Sequence, residues 1–265
     1  MSGPATSATA GAPDGAPAGR GPLLEVRGFT KSFGGVAALT DADLDVHAGE
    51  VVALVGDNGA GKSTLIKAIT GVQPADSGEL RFDGVPVAVR RPQDSANLGV
   101  AAVYQDLSLC DNLDIVANLF LGQETCQVTS FWPIDEVVME QRASDLLASL
   151  SVRVPDVRAE VGTLSGGQRQ SVAIARALLG DARLVILDEP TAALGVVQTE
   201  QVLELVGRLR ERGLGVVLVS HNLADVFAVA DRIAVLRLGR NAGSFPARQA
   251  HRQDVVAAIT GVAQR

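Results

Sequence analysis

The chain has 265 residues, 47% hydrophobic and 20% charged, with 30 acidic against 23 basic side chains and a formal net charge of −7. That balance suits a soluble globular fold with ample core and excludes a basic surface for nucleic acid, so no nucleic-acid partner is expected. No stretch approaches the roughly 18 to 20 apolar residues that a membrane helix needs, so any membrane role must come through a partner.

Residues 1–22, rich in Ala, Gly and Pro, have neither a basic start nor an apolar block, and read as a disordered tail rather than a signal peptide. Residues 23–265 read as one domain without an internal repeat. Its first third carries strand patterns in "LLEVRGF", "DLDV", "VVALVG", "GELRFDG" and "VPVAV", punctuated by Gly, Asp and Pro. Embedded there is a strand–loop–helix unit whose helix ends at Gly71. From Asp106 to Pro155 the pattern predicts mostly helix, with Ile134, Val138, Leu146, Leu147 and Leu150 on one face of a helix starting near Asp135.

After Ser165 helices and strands alternate: helix 165–179, strand 184–188, helix 198–212, strand 215–220, helix 222–230. A final strand, "RIAVLRLG", and a short helix near 253–260 follow. Such alternation predicts a mostly parallel, helix-covered sheet, the α/β class, with a helical insertion spanning about 106–180. The two cysteines, Cys110 and Cys126, have no metal-like spacing, which suits a reduced cytosolic setting.

"GDNGAGKS", Gly56 to Ser63, fits G-x-x-x-x-G-K-[ST] at every fixed position, between a predicted strand and a predicted helix. Its glycines let successive N–H groups face phosphate oxygens; Lys62 reaches the β and γ phosphates and the Ser63 hydroxyl can ligate Mg²⁺. Lys62 is one of only three lysines in the chain, which makes a chance match less plausible. "RLVILDEP" reads as a buried strand ending in two acids at the sheet edge that faces ligand, so Asp188 can hold the magnesium shell and Glu189 can face the attacking water. "TLSGGQRQ", 163–170, places Ser165, Gly166 and Gly167 at a helix N-terminus. Ser165 with Gln168 forms a capping box, and the bare amides make an anion site.

Taken together and in order, these motifs resemble the ABC ATPases, the nucleotide-binding subunits of ATP-driven transporters, from Leu23 to the C-terminus. The resemblance implies a P-loop NTPase cassette with a RecA-like core sheet, an antiparallel β subdomain and a helical subdomain. It implies that Phe33 stacks on adenine and that Gly56, Asn58, Gly59, Gly61, Lys62, Ser63 and Thr64 bind ATP. Gln105, in "VAAVYQDLSL", matches the Q-loop glutamine, placed beside the metal with Ser63 and Asp188. Ser165 to Gln168 match the signature that closes over the ATP of a second cassette. Glu189 matches the catalytic carboxylate and His221 the switch histidine on the γ phosphate. Cofactors would be ATP and Mg²⁺, in a head-to-tail dimer of two identical cassettes.

The segments "EPTAALGVVQT", "YQDLSLCDNLDIVANLFLG" and "VVAAITG" resemble bacterial monosaccharide importers of the ribose, xylose and fructose type. The partners implied are transmembrane permease subunits and, indirectly, an extracytoplasmic sugar-binding protein, with this chain peripheral on the cytoplasmic face. Leu109, Leu113, Ile115, Leu119 and Phe120 lie where such proteins receive membrane subunits, most of them expected in the core. Gly195 stands where the family usually has Asp. The rival readings are a soluble ABC ATPase acting on ribosomes or DNA, which the acidic charge opposes, and a P-loop kinase, which "LSGGQ" and His221 oppose.

Overall fold

The computed structural model describes residues 21–125 and 134–262; most of the expected tail, and Cys126, lie outside them. The chain begins with β1 (Leu24–Phe33), β2 (Val36–Val46), β3 (Val51–Val55), α1 (Lys62–Ile69), β4 (Ser77–Phe82), β5 (Val85–Val87), α2 (Pro92–Asn97) and β6 (Val100–Val103). Helices α3 (Ile115–Phe120), α4 (Glu136–Ser149) and α5 (Gly166–Ala177) come before β7 (Leu184–Asp188). Then α6 (Val196–Glu211), β8 (Gly215–Val219), α7 (Leu223–Val229), β9 (Arg232–Arg237), β10 (Arg240–Pro246) and α8 (Arg252–Thr260) complete it.

Two sheets result. One is antiparallel, in the order β2-β1-β4-β5; the other runs β10-β9-β3-β8-β7-β6, parallel throughout except where β10 pairs with β9. This is the α/β architecture that the alternating pattern predicts, with an antiparallel sheet beside a mostly parallel core.

The core strands are apolar on both faces because both faces are covered, and the pleat divides their side chains with period two. Val51, Ala53 and Val55 of β3, Val185 and Leu187 of β7, and Val216 and Leu218 of β8 pack into the cluster that holds α3 to α8. Their neighbours Val52, Leu54, Leu184, Ile186, Val217 and Val219 pack on the opposite side with α1 and the antiparallel sheet. Each fully buried Val, Leu or Ile contributes roughly 1.5–3 kcal/mol, so a register slip by one residue in any of these strands would exchange the two sets.

Several expectations need correction. The strand "RIAVLRLG" is not the last: Arg240–Pro246 pairs with it as an edge strand, the position where Pro246 is tolerated. Strand β2 occupies all of Val36–Val46 rather than "DLDV" alone. Of the middle segment, only α3 and α4 are helical among the described residues, joined by irregular loops. The face of α4 is also displaced. Ile134 and Val138 are exposed, while Met139, Ala143 and Leu147 are buried, with Leu150 just beyond the helix end. That i, i+4, i+8 stripe is narrower than the sequence suggests, because Ala143 makes room for a neighbouring element and Val138 has none to meet. Ile115, Leu119 and Phe120 are core, whereas Leu109 packs only partly against it. Helix α1 stops as expected, with Gly71 in the left-handed region after the Thr70 cap.

Candidate nucleotide site

The loops leaving β3, β6, β7 and β8 all emerge at the C-terminal edge of the parallel strands, where such sheets open a ligand crevice. They enclose a cleft of about 540 Å³. Its lining combines Phe33, the loop from Asn58 to Thr64, Gln105, Asp188, Glu189 and His221, residues spread over almost 190 positions of sequence. Ala38 and Ala192 join them unforeseen. Among the sequence candidates Gly56 is buried beneath the cleft, and Ser165 to Gln168 lie elsewhere.

The Gly56–Ser63 loop winds around Lys62, which is buried and donates from its ammonium to the carbonyls of Gly56 at 2.7 Å and Asp57 at 3.0 Å. Those bonds use two of its three protons and fix the charge at the loop's centre. Gly61, at φ 104°, turns the chain into α1, and a side chain there would meet the Ala38 carbonyl of β2 at 2.8 Å. Only glycine satisfies both demands. Amides of the first α1 turn thus open toward the cleft with the favourable end of the helix dipole.

Phe33 ends β1 and stays half-exposed at the cleft mouth. The Lys31 ammonium lies 5.6 Å from its ring centroid and is itself paired with Asp76 at 2.7 Å. One face of the aromatic therefore carries a fixed cation, while the half-exposed ring remains available for stacking.

Asp188 closes β7, half-buried. Burial pushes its carboxyl above the ordinary carboxylate range and the Glu189 charge adds to this, while Lys62 and Lys67 draw it back. Glu189 follows at φ 52°, an unusual backbone for a side-chain-bearing residue, which aims it sideways off the strand end. Its Oε2 is 2.8 Å from Nδ1 of His221, the residue that leaves β8 after Ser220. No spacing in the sequence announces that contact. It exists because β7 and β8 are adjacent, with Asp188 opposite Val219 in the ladder.

The second anion-type element is built as the capping pattern predicts. Ser165 caps α5, accepting from the Gln168 amide at 3.3 Å, and the Gln168 side chain returns to the Ser165 amide at 3.0 Å. Gly166 and Gly167 have a further role that the sequence did not disclose. A Cβ on Gly166 would lie 2.9 Å from Leu194 Cδ2, and one on Gly167 the same distance from Gln198 Cβ. The glycines thus let the start of α6 seat against the start of α5. Gly195 caps α6, its amide donating to Gln198 Oε1 at 2.9 Å.

Hard oxygen donors for Mg²⁺, namely the Ser63 hydroxyl, the Gln105 amide oxygen and the Asp188 carboxylate, all line the nucleotide cleft. Among the described residues no group of three or more His, Cys, Asp or Glu could hold a metal alone. This donor set fits a magnesium ion that is shared with phosphate oxygens.

Known proteins agree with this geometry. The ABC transporter family model matches residues 39–192. A xylose/arabinose import ATP-binding protein of Sulfolobus acidocaldarius is 48% identical over 218 residues, covering 82% of this chain and 86% of that protein. A fructose import ATP-binding protein of Rhizobium meliloti is 45% identical over 245 residues, covering 91% and 94%. A ribose import ATP-binding protein of Rubrobacter xylanophilus is 44% identical over 91% of this chain, which spans 47% of that longer protein. Among solved structures, a dimeric ATP-binding cassette in a post-hydrolysis state bound to ADP and Pi matches with a TM-score of 0.69 at 26% identity, covering 86% of this chain and 100% of that one. Another ABC transporter cassette matches with a TM-score of 0.79 at 25% identity, covering 89% and 98%. A nucleotide cleft at the head of the parallel strands, a signature helix apart from it, and these relatives agree: the chain belongs to the ABC transporter family, as one of its ATP-binding cassettes.

Proposed function

We propose that this cassette hydrolyses ATP in a head-to-tail pair of identical copies and thereby drives import of a simple sugar through separate permease subunits. One observation carries the paired arrangement: the residues of the signature, Ser165 to Gln168, do not line the chain's own nucleotide cleft. An anion-binding helix start on a separate face is explained if it closes over the nucleotide of a second copy. The sugar-import reading is supported by the named roles of the xylose/arabinose, fructose and ribose relatives. No helix among the described residues is long and apolar enough to cross a membrane, which is consistent with peripheral binding on the cytoplasmic face.

In this reading Phe33 stacks on the adenine, and the amides from Gly56 to Thr64 with Lys62 hold the β and γ phosphates. Ser63, Gln105 and Asp188 would hold Mg²⁺, which when bound neutralises phosphate charge. Glu189 orients the attacking water and accepts its proton as the new P–O bond forms at the γ phosphorus and the bridging β–γ P–O bond breaks, with ADP as the leaving group. His221 steadies Glu189 through Nδ1 and turns its other nitrogen to the γ phosphate. Transfer to water needs alignment and charge neutralisation more than covalent chemistry, so several modest contacts suffice. Release of the γ phosphate removes the anion that the partner's signature helix holds, and the pair loosens. The extracytoplasmic sugar-binding protein would select the sugar and signal through the permease.

Co-expression with its permease and reconstitution into liposomes tests the whole reading. ATP turnover should rise when a loaded sugar-binding protein is added, and size-exclusion of the Glu189→Gln chain with MgATP should show a dimer. A chain that remains monomeric with uncleaved ATP bound would overturn the shared-site arrangement.

A further inference from the structure

Asp225 lies in α7, four residues after His221, and is 6% exposed. A carboxylate that deep costs several kcal/mol unless its oxygens are satisfied. Both are. Oδ2 accepts from the Thr191 hydroxyl at 2.7 Å and Oδ1 accepts from the Asn222 side-chain amide at 2.9 Å. Asn222 adjoins His221, and Thr191 follows Glu189 by two residues. The bridge therefore runs from the loop after β7 to the loop after β8.

The local explanation covers only half of this. Asn222 caps α7 through the Ala224 amide at 3.0 Å and Asp225 completes an i, i+3 pair with it, as at many helix starts. A cap needs no partner 34 residues away, and the Thr191 bond is the shorter of the two. The same two segments are joined again where the Glu189 amide donates to the Val219 carbonyl at 2.9 Å, and within the second loop the Asn222 amide donates to the Ser220 hydroxyl at 3.0 Å. The loops that carry Glu189 and His221 are thus tied together both by the strand ladder and by Asp225, while the His221 side chain itself stays exposed.

We propose that Asp225 is a positioning residue for hydrolysis, holding the Glu189 loop and the His221 loop at a fixed separation through Thr191 and Asn222. This rests on the reading of Glu189 and His221 as the hydrolytic pair. A water-orienting carboxylate loses rate steeply when displaced, while nucleotide binding, which the Gly56–Thr64 loop governs, should be indifferent to the bridge.

The test is steady-state ATP turnover and nucleotide affinity of the full chain carrying single and paired substitutions. Asp225→Ala and Thr191→Val should each lower kcat about 10-fold or more, with ATP affinity within about two-fold of the parent. The pair Thr191→Val with Asp225→Ala should be no worse than Asp225→Ala alone, since one bridge is lost once. Asp225→Asn and Thr191→Ser should retain most turnover, because a hydroxyl can accept from an amide as readily as it donates to a carboxylate. Thr191→Val decides the matter if Asp225→Ala does not fold. Turnover within two-fold of the parent in Thr191→Val, beside a Glu189→Gln chain that has lost it, would overturn the proposal. So would parallel losses of kcat and affinity, which mark general destabilisation. Full turnover in Glu189→Gln would instead overturn the underlying reading of the site.

Discussion

Gly239 donates its backbone N–H to the carbonyl of Ala60 at 2.9 Å, which pins the turn between β9 and β10 to the phosphate loop. The carbonyl of the same residue accepts from the Thr40 amide of β2 at 2.8 Å. A single turn residue therefore joins the phosphate cradle to the strand pair that carries Phe33.

Gly239→Ala should separate the two. Its φ is 75° and a Cβ would meet the Ala38 carbonyl at 2.7 Å. Strain and displacement together should cost about 1–3 kcal/mol of stability. Nucleotide affinity should also fall, because the cradle and the aromatic no longer share one spacing. Calorimetric titration with ATP and a denaturant midpoint check both halves.

Gly167→Ala should affect hydrolysis rather than binding to the chain's own cleft. The added methyl lies 2.9 Å from Gln198 Cβ and pushes the start of α5 from α6, at about 1–3 kcal/mol. Fluorescent-nucleotide binding to the monomer should be preserved while turnover falls at least about ten-fold. Equal losses in both would place the signature in the chain's own site.

Glu189→Gln should keep ATP bound and lower turnover by about two orders of magnitude or more, since an amide cannot take the proton of the attacking water. His221→Ala should show a smaller loss, because the carboxylate remains but its support at 2.8 Å is gone. Phosphate release under single-turnover conditions measures both.

The Glu50 carboxylate should make stability depend on pH. It accepts from Arg232 Nε at 2.8 Å and from the His47 amide at 2.8 Å, joining the start of β3 to β9. Burial alone would raise its pKa, but Arg232 and His47 together outweigh burial and hold it below the ordinary value. A carboxyl depressed on folding contributes stability that is complete above its unfolded-state pKa and is lost as pH falls through the folded value. Glu50→Gln should therefore cost roughly 1–2 kcal/mol at pH 7. The difference from the parent should shrink below about pH 4. Urea midpoints at the two pH values compare them.

The sequence by itself determined the core sheet and the chemical inventory of the site. Runs such as "VVALV" and "LVIL" are apolar at every position because helices or a second sheet cover both faces, and that pattern is visible without coordinates. The Gly56–Ser63 loop and the Ser165 cap are equally legible, since their chemistry is contained within eight residues. Weak edges were not: β10, with a glycine and a proline, acquires its conformation by pairing with β9 and through the bonds of Asn241 to Asp43 of β2. The buried stripe of α4 likewise followed its neighbours rather than its own periodicity.

Tertiary structure alone decided which residues meet. The 2.8 Å contact of Glu189 with His221, the bridge of Asp225 to Thr191 and the bond of Gly239 to Ala60 each join segments far apart in the chain. The physical reason is strand order. Crossover connections place β3, β8 and β7 side by side although the chain visits them far apart, and a hydrogen bond depends on distance in space, which local pattern does not encode.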